Sequence, residues 1–439
     1  MRRSRTLFAC GIIFAALAGA AAHEPGDAHH RRRWQLASKH SDGAIVLFGF
    51  DDSDLRGTRS PFRQENNFYY LSGWNEAGAA MLLLPQVEGK RRYREILFLP
   101  AHDDRKEIWL GPRASATDRD ARSRSGFMEV RPLSELRAEL EQALESYSEL
   151  YSLLPHEPGL GQPPDPDWKS RLKELAPGRT PVDIRASVTA MRQVKSAGEI
   201  ALIRKAADAT VAAHFAAWRK IRPGIAEYEV AAPMFEQLVA HGCLRPAYTP
   251  IIGTGPNAAV LHYEPMSARL AAGELVLIDV GGECQHYASD ITRTVPANGK
   301  FSERQRQLYN LVLDAQKAAL EAVKPGARLT GGGSQSLAQL VRDFLDREGK
   351  KRLGEPMSKY FTHGVGHHVG LEVHDPADAD PVLEPGMVIT IEPGLYMPKE
   401  KLGIRIEDMV LVTADGAELL SAALPKEIGE IEKIMAEAR

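Results

Sequence analysis

The stretch Glu274–Val295, ELVLIDVGGECQHYASDITRTV, decides how this 439-residue chain is read. Its first part, Glu274–Val280, has a strand pattern, apolar from Leu275 onward except for Asp279 near its end. Its last part, Ser289–Val295, is a second strand with Asp290 near its start. Gly281-Gly282 and a short connection between them predict a hairpin folded about Cys284–Gln285. The two aspartates are eleven positions apart, so that fold sets them facing each other across an antiparallel pair. Opposed like charges destabilise a sheet. A carboxylate among Leu275, Leu277 and Ile278 is costly unless it is paired or bound to a metal. A cation between the two acids reverses the sign. Taken alone, the stretch also reads as an ordinary hairpin flanked by two polar residues.

Further acids and histidines follow downstream. The segment Thr362–Gly370, THGVGHHVG, holds three glycines, too many for a regular helix, and lacks the glutamate of an H-E-x-x-H zinc helix. It reads as a loop presenting His367, with His363 nearby and His374-Asp375-Pro376 after it. Any one of these histidines alone reads equally as a surface group or as a ring bonded to backbone. Met387–Glu392, MVITIE, is a strand ended by Pro393-Gly394, with Val388, Thr390 and Glu392 on one face. Leu402–Val412, LGIRIEDMVLV, reads as one strand with Arg405 and Glu407 opposite Ile404 and Ile406, and a buried Arg–Glu pair is its plain interpretation. Together, Asp279, Asp290, Glu392, Glu407 and His367 supply four carboxylates and one imidazole. Hard oxygen donors with a single nitrogen suit manganese, and fit iron, cobalt or zinc less selectively. Four negative charges balance two dipositive ions, and such pairs, about 3.5–4 Å apart, activate a bridging water and polarise a carbonyl.

Composition narrows the alternatives. Lys+Arg number 55 and Asp+Glu 58, a net charge of -3 that lacks the basic excess of a nucleic-acid binder. With 44% hydrophobic and 26% charged residues, the chain is an ordinary globular protein of about two or three domains. Three cysteines without a CxxC exclude a four-thiolate zinc site, an iron–sulfur cluster and a disulfide scaffold, and leave open whether Cys243 and Cys284 pair. Gly253–Ala258 imitates a dinucleotide G-x-G-x-x-A, but Pro256 and the following LHYEP oppose the helix that motif requires. No G-x-S-x-G serine elbow is present.

The N-terminus reads as an address. Arg2, Arg3 and Arg5 precede an apolar run from Leu7 to about Ala18, then Ala20-Ala21-Ala22, which predicts a signal peptide over residues 1–22. The mature protein is expected to be exported, periplasmic or secreted, with no stable membrane insertion. The basic run His29–Arg33 is expected to be a solvated arm, with ordered structure starting near Trp34. Strand patterns at Ile45–Phe48, Ala80–Leu84 and Glu95–Leu99, and a helical period over Leu133–Tyr151, predict a mixed α/β domain over residues 30–185. Pro155–Asp167, with five prolines, is a loop, and Gly331-Gly332-Gly333 is a turn. A long helix opens at Ser196 with Glu199 at capping-box spacing and stops at Pro223-Gly224. It begins a second domain over residues 190–439.

The ordered set of motifs resembles the pita-bread metallopeptidases, the family of aminopeptidase P, prolidase and methionine aminopeptidase. LIDVGGE, SDITRTV, HGVGHHVGLEVHD, TIEPGLY, GIRIED and the upstream LHYEP carry the resemblance over about residues 190–439. PFRQENNFYYLSGWNE and EIWLGPR extend it into the first domain, where they look like aminopeptidase P. The resemblance implies a creatinase-N-like first domain that shapes the entrance and mediates oligomerisation, as a dimer or tetramer, and a pita-bread α+β catalytic domain. It implies that Asp279 holds one divalent ion, that Asp290 and Glu407 bridge two, and that His367 and Glu392 hold the other. Manganese is the family expectation. Glu392 would also take a proton from the bridging water. His262 and His374 would contact the carbonyl and its oxyanion, His363 would line the proline pocket, and Arg405 and Tyr396 would orient ligands.

The implied reaction is hydrolysis of an N-terminal Xaa–Pro bond in peptides with proline at the second position. His368 stands where many aminopeptidase P relatives carry tryptophan, which leaves the proline-side pocket open. Prolidase, restricted to Xaa-Pro dipeptides, is the nearest rival. Methionine aminopeptidase lacks a comparable first domain. A non-catalytic pita-bread binding protein, or a creatinase-like metal-free hydrolase, would be expected to have lost ligands that are all present here.

Overall fold

The computed structural model describes residues 26–52, 54, 62–86, 92–155, 166–264, 267–331, 336–379 and 381–437. The expected signal peptide, Gly332-Gly333 and most of the proline-rich loop lie outside the described residues.

The first unit holds helices α1 (Gly26–Lys39), α2 (Asn66–Ser72), α3 (Asp104–Leu110), α4 (Ala121–Ser125), α5 (Leu136–Leu144) and α6 (Trp168–Leu175). Its strands are β1 (Gly43–Phe48), β2 (Ala80–Leu84), β3 (Arg94–Leu99), β4 (Glu129–Pro132), β5 (Glu149–Ser152) and β6 (Val182–Asp183). They form one mixed sheet in the order β4-β3-β2-β1-β5-β6. The central strands β1 and β2 are buried along their whole length, as continuous apolar runs should be. Two expectations are corrected here. The helical period from Leu133 stops at Leu144, because Leu150 and Ser152 alternate inward on β5, which pairs in parallel with β1. The basic run is not a solvated arm. It lies in α1, where Arg33 is fully buried and its Nε and Nη2 donate to Glu95 at 2.9 Å, while Arg32 pairs with Glu199 at 2.8 Å.

Helix α7 (Arg185–Gln193) leads into the second unit, with α8 (Ala197–Lys220), α9 (Glu227–Ala240), α10 (Glu303–Ala322), α11 (Leu337–Leu353) and α12 (Ile428–Glu437). The Ser196–Glu199 capping box forms as its spacing predicts. The strands are β7 (Arg245–Pro246), β8 (Ile251–Thr254), β9 (Leu275–Val280), β10 (Gly282–Cys284), β11 (Tyr287–Ala288), β12 (Ile291–Pro296), β13 (Val388–Ile391), β14 (Gly394–Met397), β15 (Leu402–Arg405), β16 (Asp408–Val412) and β17 (Ala417–Leu419). They make four small antiparallel sheets, β11-β10-β7, β12-β9-β8, β13-β16-β17 and β14-β15. The packed helix pairs α8–α9 and α10–α11 back them, which is the pita-bread arrangement. Strand β8 runs into a 3-10 turn at Gly255–Ala259 rather than the helix of a dinucleotide fold.

Two details matter for the site. The hairpin turns at Gln285-His286, both at positive φ, as a two-residue loop between right-twisted strands requires. The segment Leu402–Val412 is not one strand. The chain breaks at Ile406-Glu407, where β15 leaves its partner β14 and β16 takes up β13. The apolar alternation of Ile404 and Ile406 stops at the two consecutive acids Glu407-Asp408, and that is the mark the break leaves in the sequence. Cys243 and Cys284 form a disulfide that ties the end of α9 to β10.

Candidate metal centre

Asp279 lies in β9 and Asp290 immediately precedes β12. The register pairs Asp279 with Thr292. The two acids are therefore diagonal neighbours on one face rather than directly opposed, a shift from the facing pair expected. Gly281 allows the close approach: a Cβ there would sit 1.7 Å from the Ser289 carbonyl oxygen. On the other side of the site the loop carrying His367 lies along β13. Val369 N–H donates to Val388 O at 3.0 Å, Thr390 N–H to His367 O and Glu392 N–H to Val365 O, both at 2.8 Å. A Cβ on Gly366 would meet the Thr390 carbonyl oxygen at 1.9 Å, so only glycine lets the loop seat there.

These elements bring all five expected ligands together. Ligand atoms of Asp279, Asp290 and Glu407 lie within 4.8 Å of one another, as do those of His367, Glu392 and Glu407, and those of Asp290, His367 and His374. Glu407 belongs to two of these groups, and so do Asp290 and His367. His367 Nδ1–H donates to the His368 carbonyl at 3.0 Å. Its Nε2 lone pair then faces Asp290 Oδ2 at 3.3 Å and Glu392 Oε1 at 3.5 Å. An acceptor aimed at two carboxylates is repulsive unless a cation or a proton intervenes. Burial, then Asp279, raises the Asp290 carboxyl. Burial, against the pull of His367 and Arg405, brings Glu392 up to about 7, and burial with Asp290 and Glu392 pushes Glu407 well above its usual range. Burial pulls His367 down, but Asp290 and Glu392 outweigh it and hold the ring at about 9. Such a cluster gains most from a multivalent cation.

The flanking residues take distinct places. Arg405 does not pair with Glu407. It donates to Asp279 Oδ2, to Tyr396 Oη at 2.8 Å and to Thr292 Oγ1 at 3.1 Å, and Thr292 Oγ1–H passes on to Glu407 Oε2 at 2.7 Å. His363 Nε2 meets Tyr396 Oη at 2.8 Å. His374 stands at the exposed rim, its ring 4.0 Å from that of His367. Partial desolvation, then charge on His367 and His262, holds the His374 imidazole down at about 4. His262 is exposed beside it.

Sequence reasoning missed Tyr248, whose hydroxyl reaches both Asp279 and, at 2.5 Å, Asp290 Oδ1. It sits in a short link between β7 and β8 with no periodic signal, brought there by the pairing of Arg245 and Pro246 with β10 and by Ala247 N–H on Gly281 O at 2.8 Å. It also missed how the first unit docks. Within PFRQENNFYY, Arg63 holds Glu283 at 3.0 Å and Leu371 O at 2.8 Å, and Tyr69 stacks on His286 with centroids 3.8 Å apart. Asn67 holds Arg192, which binds Glu372 at 2.9 Å and Asp375 at 2.7 Å, and Lys195 completes the Asp375 pair at 3.1 Å. The loop bearing His374 is thus pinned by buried cations from α7 and the approach to α8. His368 is buried near the Lys195–Asp375 pair.

Residues 201–414 match the model of metallopeptidase family M24, and residues 29–151 match the aminopeptidase P N-terminal domain. The chain is 35% identical to an Xaa-Pro aminopeptidase of Haemophilus influenzae over 92% of its own length and 96% of that protein's. The chain belongs to the aminopeptidase P branch of metallopeptidase family M24. An Xaa-Pro aminopeptidase of Escherichia coli is 34% identical, with 93% of this chain and 97% of that one covered. Aminopeptidase P from E. coli, solved with the inhibitor Pro-Leu, superposes with a TM-score of 0.84 at 31% identity, covering 95% of this chain and 99% of that one. The M24 match spans every member of the carboxylate–histidine cluster, and the N-terminal match contains the docking residues Arg63, Asn67 and Tyr69. Among the described residues no helix is long and apolar enough to cross a membrane.

Proposed function

We infer that this chain is an Xaa-Pro aminopeptidase, releasing the first residue of peptides whose second residue is proline. The convergence of Asp279, Asp290, His367, Glu392 and Glu407, in a chain aligned with Xaa-Pro aminopeptidases over more than nine-tenths of its length, carries this reading. The cluster fits divalent cations: its acids are buried and mutually repelling, and its imidazole turns Nε2 toward them, where a cation can replace the proton. We propose two ions, with manganese favoured by the hard oxygen donors. Asp279, Asp290 and Glu407 would hold one, and His367, Glu392, Asp290 and Glu407 the other. When bound, the ions would supply Lewis acidity that lowers the pKa of water and polarises the scissile carbonyl.

The chain's own groups then have distinct tasks. Glu392 accepts the proton of the attacking water and delivers it to the departing proline nitrogen, which as a tertiary amide has no hydrogen of its own. His374 and His262, at the rim, donate to the developing oxyanion. Arg405 and Tyr396 hold Asp279 and His363 in place, and His363 lines the proline side.

Two wider readings accompany this one. Ile108, Trp109 and Leu110 on α3 are 82%, 87% and 56% exposed, an apolar surface that supports a homo-oligomer, dimer or tetramer. The Cys243–Cys284 disulfide supports export to a periplasm or beyond, where thiols oxidise, after removal of residues 1–22. The activity is tested by mass-spectrometric digestion of an Xaa-Pro dipeptide, a longer Xaa-Pro peptide and a Met-Ala peptide, with manganese and after chelation. Metal-dependent release of the first residue from the longer Xaa-Pro peptide is expected. Cleavage of the dipeptide alone would make the chain a prolidase. A folded protein that takes up no divalent ion and cleaves nothing would make it a binding protein.

A further inference from the structure

The two glutamates of the cluster sit just past the point where their strands stop pairing. The β13–β16 ladder ends at Ile391–Asp408. Beyond it Glu392 N–H turns to Val365 O and Glu407 N–H to Thr292 O, so no backbone bond joins the two glutamates to each other. The carbonyls of the residues immediately before them, Ile391 and Ile406, are met instead by one side chain from the helix behind. Gln316 of α10 is fully buried, and the two N–H groups of its Nε2 are shared among three acceptors, Ile391 O at 3.2 Å, Ile406 O at 3.1 Å and Asp408 Oδ2 at 3.0 Å. Its Oε1 accepts from Lys426 Nζ at 3.0 Å, which settles the orientation of the amide. Lys426 and Arg293 in turn both hold Asp408.

We propose that Gln316 is a positioning residue for the metal centre: its single amide closes the open end of the ladder and sets the spacing of Glu392 and Glu407. This rests on the reading of those glutamates as metal ligands. Met at this position keeps nearly the same length and volume but offers no N–H. Without the amide the Ile406 carbonyl loses its side-chain partner. The link from it to the Ile391 carbonyl, which also belongs to the last rung of the ladder, is gone, so each glutamate moves more freely with its own strand. Groups that hold a ligand from behind are typically worth about 10–100-fold in metal affinity.

The test is calorimetric titration of the metal-free full-length protein with Mn²⁺, comparing wild type, Gln316→Met and Gln305→Ala. Gln305 lies on the same helix, where it completes the N-terminal capping box and donates to Gly273 O, away from the glutamate strands. Gln305→Ala therefore loosens α10 without touching either ligand. The expected result is a Mn²⁺ dissociation constant raised about 10–100-fold in Gln316→Met and unchanged in Gln305→Ala. Equal affinity in wild type and Gln316→Met overturns the proposal while leaving the metal site standing. Equal weakening in both variants also overturns it, because general loosening of the helix would then suffice. No Mn²⁺ binding by wild type removes the underlying reading and the proposal with it. If Gln316→Met does not fold, Gln316→Asn, with the amide one methylene shorter, gives the same decision: weaker binding supports the proposal and wild-type binding overturns it.

Discussion

Glu407 and Asp408 are adjacent in sequence, both acidic and both buried, at 2% and 0% exposure, yet the protein treats them in opposite ways. Burial and the neighbouring Asp290 and Glu392 push the Glu407 carboxyl well above its usual range. Burial pushes Asp408 the same way, but Arg293 and Lys426 outweigh it and hold that carboxyl at about 2. One side of the chain turn faces other acids, and the other faces cations the protein itself provides. A buried carboxylate whose counter-charges come wholly from within the chain is part of the scaffold. One whose counter-charge is withheld is a place for something from outside. Asp279, held by Arg405 yet grouped with Asp290 and Glu407, stands between the two cases. Asp375 repeats the first case with Arg192 and Lys195, and Asp290 and Glu392 repeat the second.

The contrast breaks most plainly at Glu407 itself. Glu407→Gln removes an acid shared by two ligand groups, and Asp290→Asn does the same nearby. Turnover on an Xaa-Pro peptide should vanish at saturating metal, while the metal-free melting temperature should not fall, because a repelling charge has gone. Retained activity, or a metal-free protein that melts markedly earlier, would place Glu407 with the scaffold. Asp408→Asn is the mirror experiment. It leaves Arg293 and Lys426 buried around a neutral group, and breaking such a pair costs about 3–5 kcal/mol. Denaturant titration of metal-free protein should show that loss at pH 7. A loss under about 1 kcal/mol would show that the cations relax to water, and the contrast would fail from the other side.

His374 sharpens the comparison, because it belongs to neither class. It lies against His367 at the rim, but its loop is pinned by the scaffold pair at Asp375. His374→Ala should lower kcat by about 10²–10³, the usual worth of an oxyanion donor, with metal content by elemental analysis unchanged. Parallel loss of metal would move His374 into the ligand set.

How much of this could be read in the sequence follows from the same pair. All five proposed ligands were legible, because each sits in a short apolar strand or glycine-rich loop where a charged or imidazole group is conspicuous. The α8 capping box was legible because its signal is local. So was the hairpin, but its turn falls at Gln285-His286 rather than about Cys284–Gln285, which moves Asp279 from facing Asp290 to facing Thr292. The sequence presents Glu407 and Asp408 as equals, however. Asp408's cation, Arg293, is 115 positions away, and Arg192 is 183 from Asp375. Gln316 reaches Ile391 and Ile406 across 75 and 90 positions from an ordinary amphipathic helix. The break at Ile406-Glu407 shows in the sequence only as the paired acids Glu407-Asp408 within an otherwise strand-like run. The disulfide depended on α9 packing back on β10, a separation of 41 that spacing alone does not imply.

A third environment completes the contrast: a buried base among cations. His286 is stacked on Tyr69 at the docking surface, and burial, then Arg63 and Arg245, lowers its imidazole to about 2. Here the protein withholds a proton rather than a metal. Unfolded, the same ring titrates near 6.5, so below that pH the unfolded chain binds a proton that the folded chain refuses. Stability from this group is therefore complete above about pH 6.5 and declines as the pH falls toward the folded value. At about 1.4 kcal/mol per pH unit, the loss between pH 6.5 and 5 is roughly 2 kcal/mol. His286→Asn tolerates the positive φ of 72° and removes the titration, at the expense of the stack. At pH 7 wild type should be the more stable of the two by denaturant titration. By pH 5 the gap should narrow by about that amount or reverse. The scaffold carboxylates are common to both proteins and cancel in the difference. A gap that stays constant from pH 7 to 5 would mean that His286 takes up its proton in the folded state, and that the docked surface admits enough water to solvate it.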